Sequence, residues 1–170
     1  MLEINGNYLE GGGQIVRTAL ALSSITQKPF KITNIRKGRK DPGLKEQHLQ
    51  TVRAIAKSCN AKVEGNELNS TELSFTPRKI MNTNLEVNIS TAGSTALVLQ
   101  SLLLSGIKNS LNVHIIGGGT FNLHAPSIIY LQKVLLPILR KMNYEVSIEV
   151  MGNGFYPKGG AELKITTKRT

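Results

Sequence analysis

The chain has 170 residues, of which 40% are hydrophobic and 19% are charged. This mixture is typical of one globular domain or two small ones, and no apolar run approaches the roughly 20 residues that a membrane helix needs. A single cysteine, Cys59, excludes an internal disulfide and a zinc site built from cysteines. The net charge of +10 indicates an anionic partner such as nucleic acid or, equally, a basic surface that keeps the protein soluble.

The first part of the chain predicts four strands and two helices. Alternating or β-branched residues indicate strands at residues 2–4, 30–35, 61–64 and 72–76. Helical spacing indicates a helix that follows Gly13 and ends near Thr26, and a second helix from about Leu44 to Ser58. The expected apolar face of the first helix comprises Ile15, Val16, Ala19, Leu20 and Leu22; that of the second comprises Leu44, His48, Val52, Ile55 and Ala56.

The same order of elements then recurs. Strands are predicted at residues 85–89, 111–116, 144–150 and 161–166, with helices at 94–105 and 127–142. Two helix segments repeat about 80 residues further on, since Leu49–Val52 matches Leu131–Val134 and Thr18–Leu22 matches Thr95–Leu99. We therefore predict an α/β fold of the α+β sandwich type. It would contain two β-α-β-α-β-β units, residues 1–80 and 81–170, each a small sheet with two helices on one face.

Three glycine-rich segments are candidate phosphate sites. Gly11–Gly13 precedes a helix, where glycines allow close backbone approach and free N–H groups attract anions. Arg17 lies one turn further on and would add a positive charge, whereas the alternative is a tight strand-to-helix connection. The Thr91–Ser94 segment is expected to form a turn of the same shape, and Gly117–Gly119 a loop. Neither a dinucleotide-binding pattern nor a P-loop is present.

The basic loop, residues 36–43, carries Arg36, Lys37, Arg39 and Lys40. A guanidinium group presents a planar fork that matches phosphate oxygens, so the two arginines are the better candidates for fixed contacts. The alternative is a solvated surface loop.

The remaining chemical groups divide into structural and binding candidates. We expect His48 to be buried and hydrogen-bonded, His114 to be structural and Cys59 to lie in the core. The loop residue His124 could contact a ligand. Glu10, next to the first glycine segment, is suited to a hard cation such as Mg²⁺ that bridges phosphates.

Taken together, these segments resemble the RNA 3′-terminal phosphate cyclase family. The matching stretches occur in the family's order: Glu10–Arg17, Ile35–Arg39 with Pro42–Leu44, Gln47–Leu49, Ser70–Leu73, Thr91–Ser94 with Leu97–Gln100, Gly118–Thr120 with Asn122 and Ala125–Pro126, and Gly154–Pro157 with Gly159–Gly160. Any one stretch is weak evidence for the family, but the whole set in this order is highly specific to it. Ser90, where a glycine is common, and Ala161 depart from the pattern.

The resemblance implies an ATP-dependent enzyme that converts an RNA 3′-phosphate into a 2′,3′-cyclic phosphodiester. A histidine would carry AMP and pass it to the RNA end. It also implies roles for particular residues. Glu10 would hold Mg²⁺ or Mn²⁺ and, with Arg17, Gln100 and Pro126, would bind ATP, while Arg36, Arg39 and Gln47 would bind the phosphate of ATP or of the RNA end.

Family members are roughly twice as long. The resemblance therefore implies that a third repeat, an inserted domain and the nucleophilic histidine lie beyond the equivalent of Thr170, and that this chain alone is inactive. Self-association or a second chain could complete the fold.

The alternatives to a cyclase are a non-catalytic ribosome-assembly or RNA-binding scaffold of the same superfamily and, more weakly, an enolpyruvyl transferase. With no signal peptide visible at Met1, we expect a cytoplasmic protein without a membrane partner.

Overall fold

The chain folds into two compact units, Met1–Asn82 and Thr83–Thr170. The structure is a computed structural model that describes residues 1–79 and 83–168. Each unit contains a four-stranded mixed sheet together with helices, so the predicted α/β class is confirmed. Within the described ranges, no helix combines the length and apolar character needed to cross a membrane.

In the first unit, the sheet has the strand order β1-β2-β4-β3. The strands are β1 (Leu2–Asn5), β2 (Phe30–Thr33), β3 (Lys62–Glu64) and β4 (Leu73–Thr76), and the helices are α1 (Gln14–Thr26) and α2 (Glu46–Cys59). Strands β1 and β2 are parallel, whereas β4 runs antiparallel to both β2 and β3.

Alternate residues of β2 and β4 are buried in the core. Phe30 and Phe75 are paired across these strands, and their rings stack with centroids 5.7 Å apart. Leu20 of α1 and Val52 of α2 are also fully buried, and Cys59 is buried as predicted. Leu22 was wrongly placed on the apolar face of α1, because it is 46% exposed while the small residues Ala21, Ser23 and Ser24 are buried. Small side chains allow that face of the helix to pack closely.

The second unit has the equivalent strand order, β5-β6-β8-β7. Its strands are β5 (Asn84–Ser94), β6 (Asn112–Gly119), β7 (Glu145–Gly152) and β8 (Glu162–Lys168). Helix α3 covers Thr95–Ser105, and helix α4 covers residues 128–141. The middle of α4, Leu131–Leu135, is π-helical, and the N–H of Leu136 bonds to the carbonyl of Leu131. Pro137 has no N–H to donate in the next position, which interrupts the regular pattern.

Two glycine-rich segments predicted as a turn and a loop are instead extended. Thr91–Ser94 belongs to β5 and Gly117–Gly119 belongs to β6. The strands stay paired as far as Ser94 and Gly119, with an irregular register after Ile89. Gly117 has φ +83°, and a β-carbon there would overlap the carbonyl of Ile89. Glycine therefore permits a bulge and a close strand approach at this point.

Thr120 connects the end of β6 to the segment after β7. This residue is completely buried, and its hydroxyl lies 3.1 Å from Asn153 Oδ1 and 3.2 Å from the Gly154 carbonyl. Its own N–H also donates to the Gly154 carbonyl at 2.9 Å. Because Ile128 N–H bonds to the Thr120 carbonyl (3.1 Å), the same residue positions the start of α4.

The substitution Thr120→Val should destabilise the second unit by about 1–3 kcal/mol, because it removes the hydroxyl from a buried polar cluster while preserving shape. Thr166→Val, at an exposed position of β8, serves as the control and should change stability by less than about 0.5 kcal/mol. Urea unfolding of the two variants measures the difference. Equal stabilities would show that the Thr120 hydroxyl does not hold the two segments together.

Candidate functional site

The candidate site in the first unit is built around the start of α1. Gly11 adopts a left-handed conformation (φ +55°), and Gly13 precedes the first helical residue. No side chain caps this helix, and its first turn contains no acidic residue. The N–H groups of the first turn, which are positive in character, are therefore not neutralised by the helix itself.

His48 lies directly against this helix start. Its side chain is buried, as predicted, and a β-carbon at Gly13 would overlap Nε2. The Lys45 N–H, at the start of α2, donates to Nδ1 over 3.1 Å. Since Nδ1 acts as an acceptor, the proton of the neutral ring is on Nε2, next to Gly13. The imidazole thus joins the starts of α1 and α2.

Three cations act on the same imidazole. Burial lowers the pKa of His48 to about 3, and the charges of Arg17, Arg36 and Lys45 contribute to this decrease. Burial also lowers the pKa of Arg17 to about 10, so Arg17 is charged at neutral pH. A neutral histidine is the form that such surroundings favour.

The two arginines of the basic loop differ in their surroundings. Arg36 donates from Nη1 to the carbonyls of Asp41 (2.9 Å) and Gly43 (3.1 Å), so its guanidinium helps to hold the loop in shape. Its pKa is lowered by burial and by the charge of Arg39. Arg39 is exposed. The Arg36 guanidinium therefore already makes hydrogen bonds within the protein, while the Arg39 guanidinium is more accessible to a ligand.

The cations of this cluster form no ion pair with a described carboxylate, although the charge of Asp41 opposes the lowering of the Arg36 pKa. Over residues 1–79 and 83–168, the ion pairs join Lys31 to Glu72, Lys62 to Glu64, His114 to Glu162 and Lys168 to Glu145. Arg17, Arg36, Arg39 and Lys45 take part in none of them. Several cations close to an uncapped helix start form an arrangement suited to a phosphate group.

Glu10 and Gln47 lie at the two helix starts. Glu10 is exposed next to the glycine segment, and Gln47 belongs to the first turn of α2, beside His48. The described parts of the chain contain no group of three His, Cys, Asp or Glu side chains able to hold a metal ion. A divalent cation at Glu10 would therefore need oxygen ligands from another source, and phosphate oxygens are suitable ones.

The other predicted residues belong to the second unit. Gln100 is exposed on α3, and Pro126 is half-buried just before α4. His114 Nε2 lies 3.0 Å from Glu162 Oε1, and His124 is exposed with φ +61°. The ATP-binding roles of Gln100 and Pro126 that the resemblance implies stay predictions.

Sequence reasoning missed Asn7 and Lys45. The Asn7 Oδ1 atom accepts the N–H of Gly38 at 2.6 Å, which attaches the segment before the glycines to the basic loop. Lys45 holds the His48 ring through its backbone N–H. The Asn7 contact has no local sequence signal, because it spans 31 residues. The Lys45 contact is local, since the His48 side chain accepts the N–H of a residue three positions earlier at the start of α2, as in a helix capping box.

Gly13→Ala should destabilise the first unit by about 1–3 kcal/mol, because the new methyl group displaces the His48 ring. Gly13 has φ −63°, so alanine meets no backbone strain there and the effect is purely steric. At Gly12, a β-carbon would meet only the flexible Gln14 side chain, which makes Gly12→Ala the matched control. Urea unfolding compares the two variants, and equal effects would contradict the proposed contact.

The depressed pKa of His48 predicts a specific pH dependence. Between about pH 6.5 and 3, His48 binds a proton in the unfolded chain but not in the folded chain. The folded state is therefore increasingly destabilised relative to the unfolded state as the pH falls through this range. Relative to His48→Asn, the wild type should lose up to about 1.4 kcal/mol of unfolding free energy per pH unit below pH 6. Asparagine can replace Nδ1 as an acceptor.

NMR provides an independent check, since the His48 ring signals of the wild type should keep their neutral position down to pH 5. A normal titration of these signals near pH 6.5 would refute the burial and charge argument.

Comparison with known proteins gives a consistent result. The model of the family described as RNA 3′-terminal phosphate cyclase matches residues 8–170. A protein named RNA 3′-terminal phosphate cyclase from Sulfurisphaera tokodaii is 46% identical over 98% of this chain and 49% of its own length. Proteins of the same name from Saccharolobus islandicus and Methanococcoides burtonii are 45% identical over 97% and 94% of this chain, and again over 49% of their own lengths. The chain thus spans about half the length of the curated relatives that it matches, and it belongs to the RNA 3′-terminal phosphate cyclase family.

Proposed function

We propose that this chain provides the phosphate-binding part of an RNA 3′-terminal phosphate cyclase. The observation that carries the proposal is the group of Arg17, Arg36 and Lys45 around His48 at the uncapped start of α1, with Arg39 close to Arg36. No described carboxylate forms an ion pair with any of the four. A terminal phosphate or the phosphates of ATP would neutralise this charge.

In the proposed reaction, a histidine of the enzyme takes AMP from ATP and releases pyrophosphate. The AMP then passes to an oxygen of the RNA 3′-phosphate. The neighbouring 2′-hydroxyl then loses its proton and attacks the phosphorus of the RNA 3′-phosphate. This step closes the 2′,3′-cyclic phosphodiester and releases AMP. We assign the AMP-carrying histidine to the part of the family's fold that follows the equivalent of Thr170, because none of His48, His114 and His124 occupies the motif of the family's nucleophile. His48 is also buried against Gly13.

The residues of this chain would bind and orient the phosphates. Arg17 and the start of α1 contact phosphate oxygens, Arg39 forms a bidentate contact, and Gln47 supports the same site. Arg36 contributes charge while it shapes the basic loop. Mg²⁺ or Mn²⁺ would neutralise phosphate charge, with Glu10 as its ligand from this chain.

The second unit would contribute to ATP binding. We propose that Gln100 and Pro126 border the nucleotide base, as the family resemblance implies. Both are accessible on the unit that carries them.

Binding of short RNA oligonucleotides tests this proposal. The wild-type chain should bind an oligonucleotide with a 3′-phosphate more tightly than the same oligonucleotide with a 3′-hydroxyl. Arg39→Ala should weaken binding of the 3′-phosphate form by about 1.5–3 kcal/mol, the contribution of a charged hydrogen bond, and should affect the 3′-hydroxyl form much less. Fluorescence anisotropy at constant salt measures both affinities.

Lys57→Ala provides the matched control, because Lys57 is an exposed cation in the last turn of α2. Its removal should weaken the binding of both oligonucleotides slightly and equally. If the wild type binds the two RNA ends with equal affinity, the proposal of a 3′-phosphate site is wrong.

A further inference from the structure

The turn that follows β1 carries an exposed aromatic residue and is hydrogen-bonded to the basic loop. Two hydrogen bonds attach this turn, residues 6–11, to the loop: Arg36 N–H donates to the Gly6 carbonyl at 3.3 Å, and Gly38 N–H donates to Asn7 Oδ1 at 2.6 Å. The next residue is Tyr8. Its main chain is therefore held beside the middle of the basic loop.

The turn keeps two large side chains out of the core. Tyr8 is 68% exposed and Leu9 is 78% exposed. The Gly11 N–H donates to the Tyr8 carbonyl at 3.0 Å, and Leu9 has a left-handed backbone with φ +51°. That conformation is unfavourable for a residue with a bulky side chain. Tyr8 is therefore exposed because it lies in a turn whose backbone is held by hydrogen bonds.

The surroundings of Tyr8 indicate the chemistry of its partner. The basic loop carries four cations within residues 36–40, and the nearby sequence contains two carboxylates, Glu10 and Asp41. The charge of Asp41 acts on Arg36 and offsets part of the positive charge of the loop, which leaves an excess of cations. An exposed ring beside an excess of positive charge suits a partner with both a flat apolar face and phosphates, and single-stranded nucleic acid has both.

We propose that Tyr8 stacks on the terminal nucleobase of the RNA whose 3′-phosphate is bound by the basic loop. This inference rests on the proposed function and assigns the contact with the base to a residue outside the phosphate site. Stacking on a ring is tolerant of base identity, because every base has a flat face. Tyr8 would therefore add affinity for RNA ends without selecting a particular terminal nucleotide.

The test combines protein variants with an RNA that lacks the terminal base. Two 3′-phosphorylated oligonucleotides are compared by fluorescence anisotropy, one complete and one abasic at its last nucleotide. Tyr8→Ala should bind the complete RNA about 5- to 150-fold more weakly than the wild type. Against the abasic RNA, the wild type and Tyr8→Ala should bind equally. Tyr8→Phe, which preserves the ring, should behave like the wild type.

Leu9→Ala is the matched control, because Leu9 is also a large exposed side chain in the same turn but has no ring. This substitution should leave both affinities unchanged. The proposal is overturned if Tyr8→Ala weakens both RNAs to the same extent, since Tyr8 would then act through the loop. It is also overturned if Tyr8→Ala alters only the oligomeric state in sedimentation, which would make Tyr8 part of a contact between copies of the chain.

The comparison of 3′-phosphate with 3′-hydroxyl RNA separates this inference from the proposed function. Equal binding of the two ends by the wild type refutes the phosphate site, whatever Tyr8 does. A clear preference for the 3′-phosphate that is unaffected by Tyr8→Ala and by removal of the base refutes only the stacking contact.

Discussion

In the first unit, the backbone at Gly13 lies so close to the His48 ring that a single added carbon would overlap Nε2. This contact brings the starts of α1 and α2 together and excludes water from the imidazole. Because burial keeps the ring neutral, Arg17, Arg36 and Lys45 can surround it without a further positive charge. The concentration of cations therefore depends on a close packing contact.

Such a concentration of like charge lowers the stability of the unit when no anion is present. The protein reduces this penalty in part, through the charge of Asp41 and through the backbone carbonyls that accept hydrogen bonds from Arg36. A bound phosphate would provide the missing negative charge at the place where the helix N–H groups also favour it. The arrangement is thus better suited to binding an anion than to stabilising the fold by itself.

The two units show how one repeated fold carries different surface chemistry. Both have the same strand order, beginning with a parallel pair. In the first unit, the chain leaves β1 before the glycine segment and forms a turn that bonds to the basic loop. In the second unit, β5 continues through Thr91–Ser94 directly into α3, and residues 117–127 contain no Lys or Arg. The sheet and helices provide a common frame, and the groups of the proposed phosphate site are added at particular loops.

Local patterns in the amino-acid sequence were sufficient to predict the order of the elements, the α/β class, the buried positions of His48 and Cys59, and the family. These properties follow from the periodicity of side chains and from short ordered motifs, which depend on neighbours in the chain. The same patterns failed where packing or strand pairing overrides local preference. Leu22 is exposed because smaller residues fit the helix interface, and Gly117–Gly119 is strand because β5 pairs with it.

Only the tertiary structure decided how the functional groups are held. The contact between Gly13 and His48 and the hydrogen bond from Gly38 to Asn7 join residues that lie far apart in the chain, so they have no local sequence signal. The hydrogen bonds of Arg36 within its own loop depend on the path that the folded loop takes. The charges of Arg17 and Arg36 act on His48 for the same reason. Electrostatic and steric effects act through space, so they are determined by the folded chain and not by the spacing of residues along it.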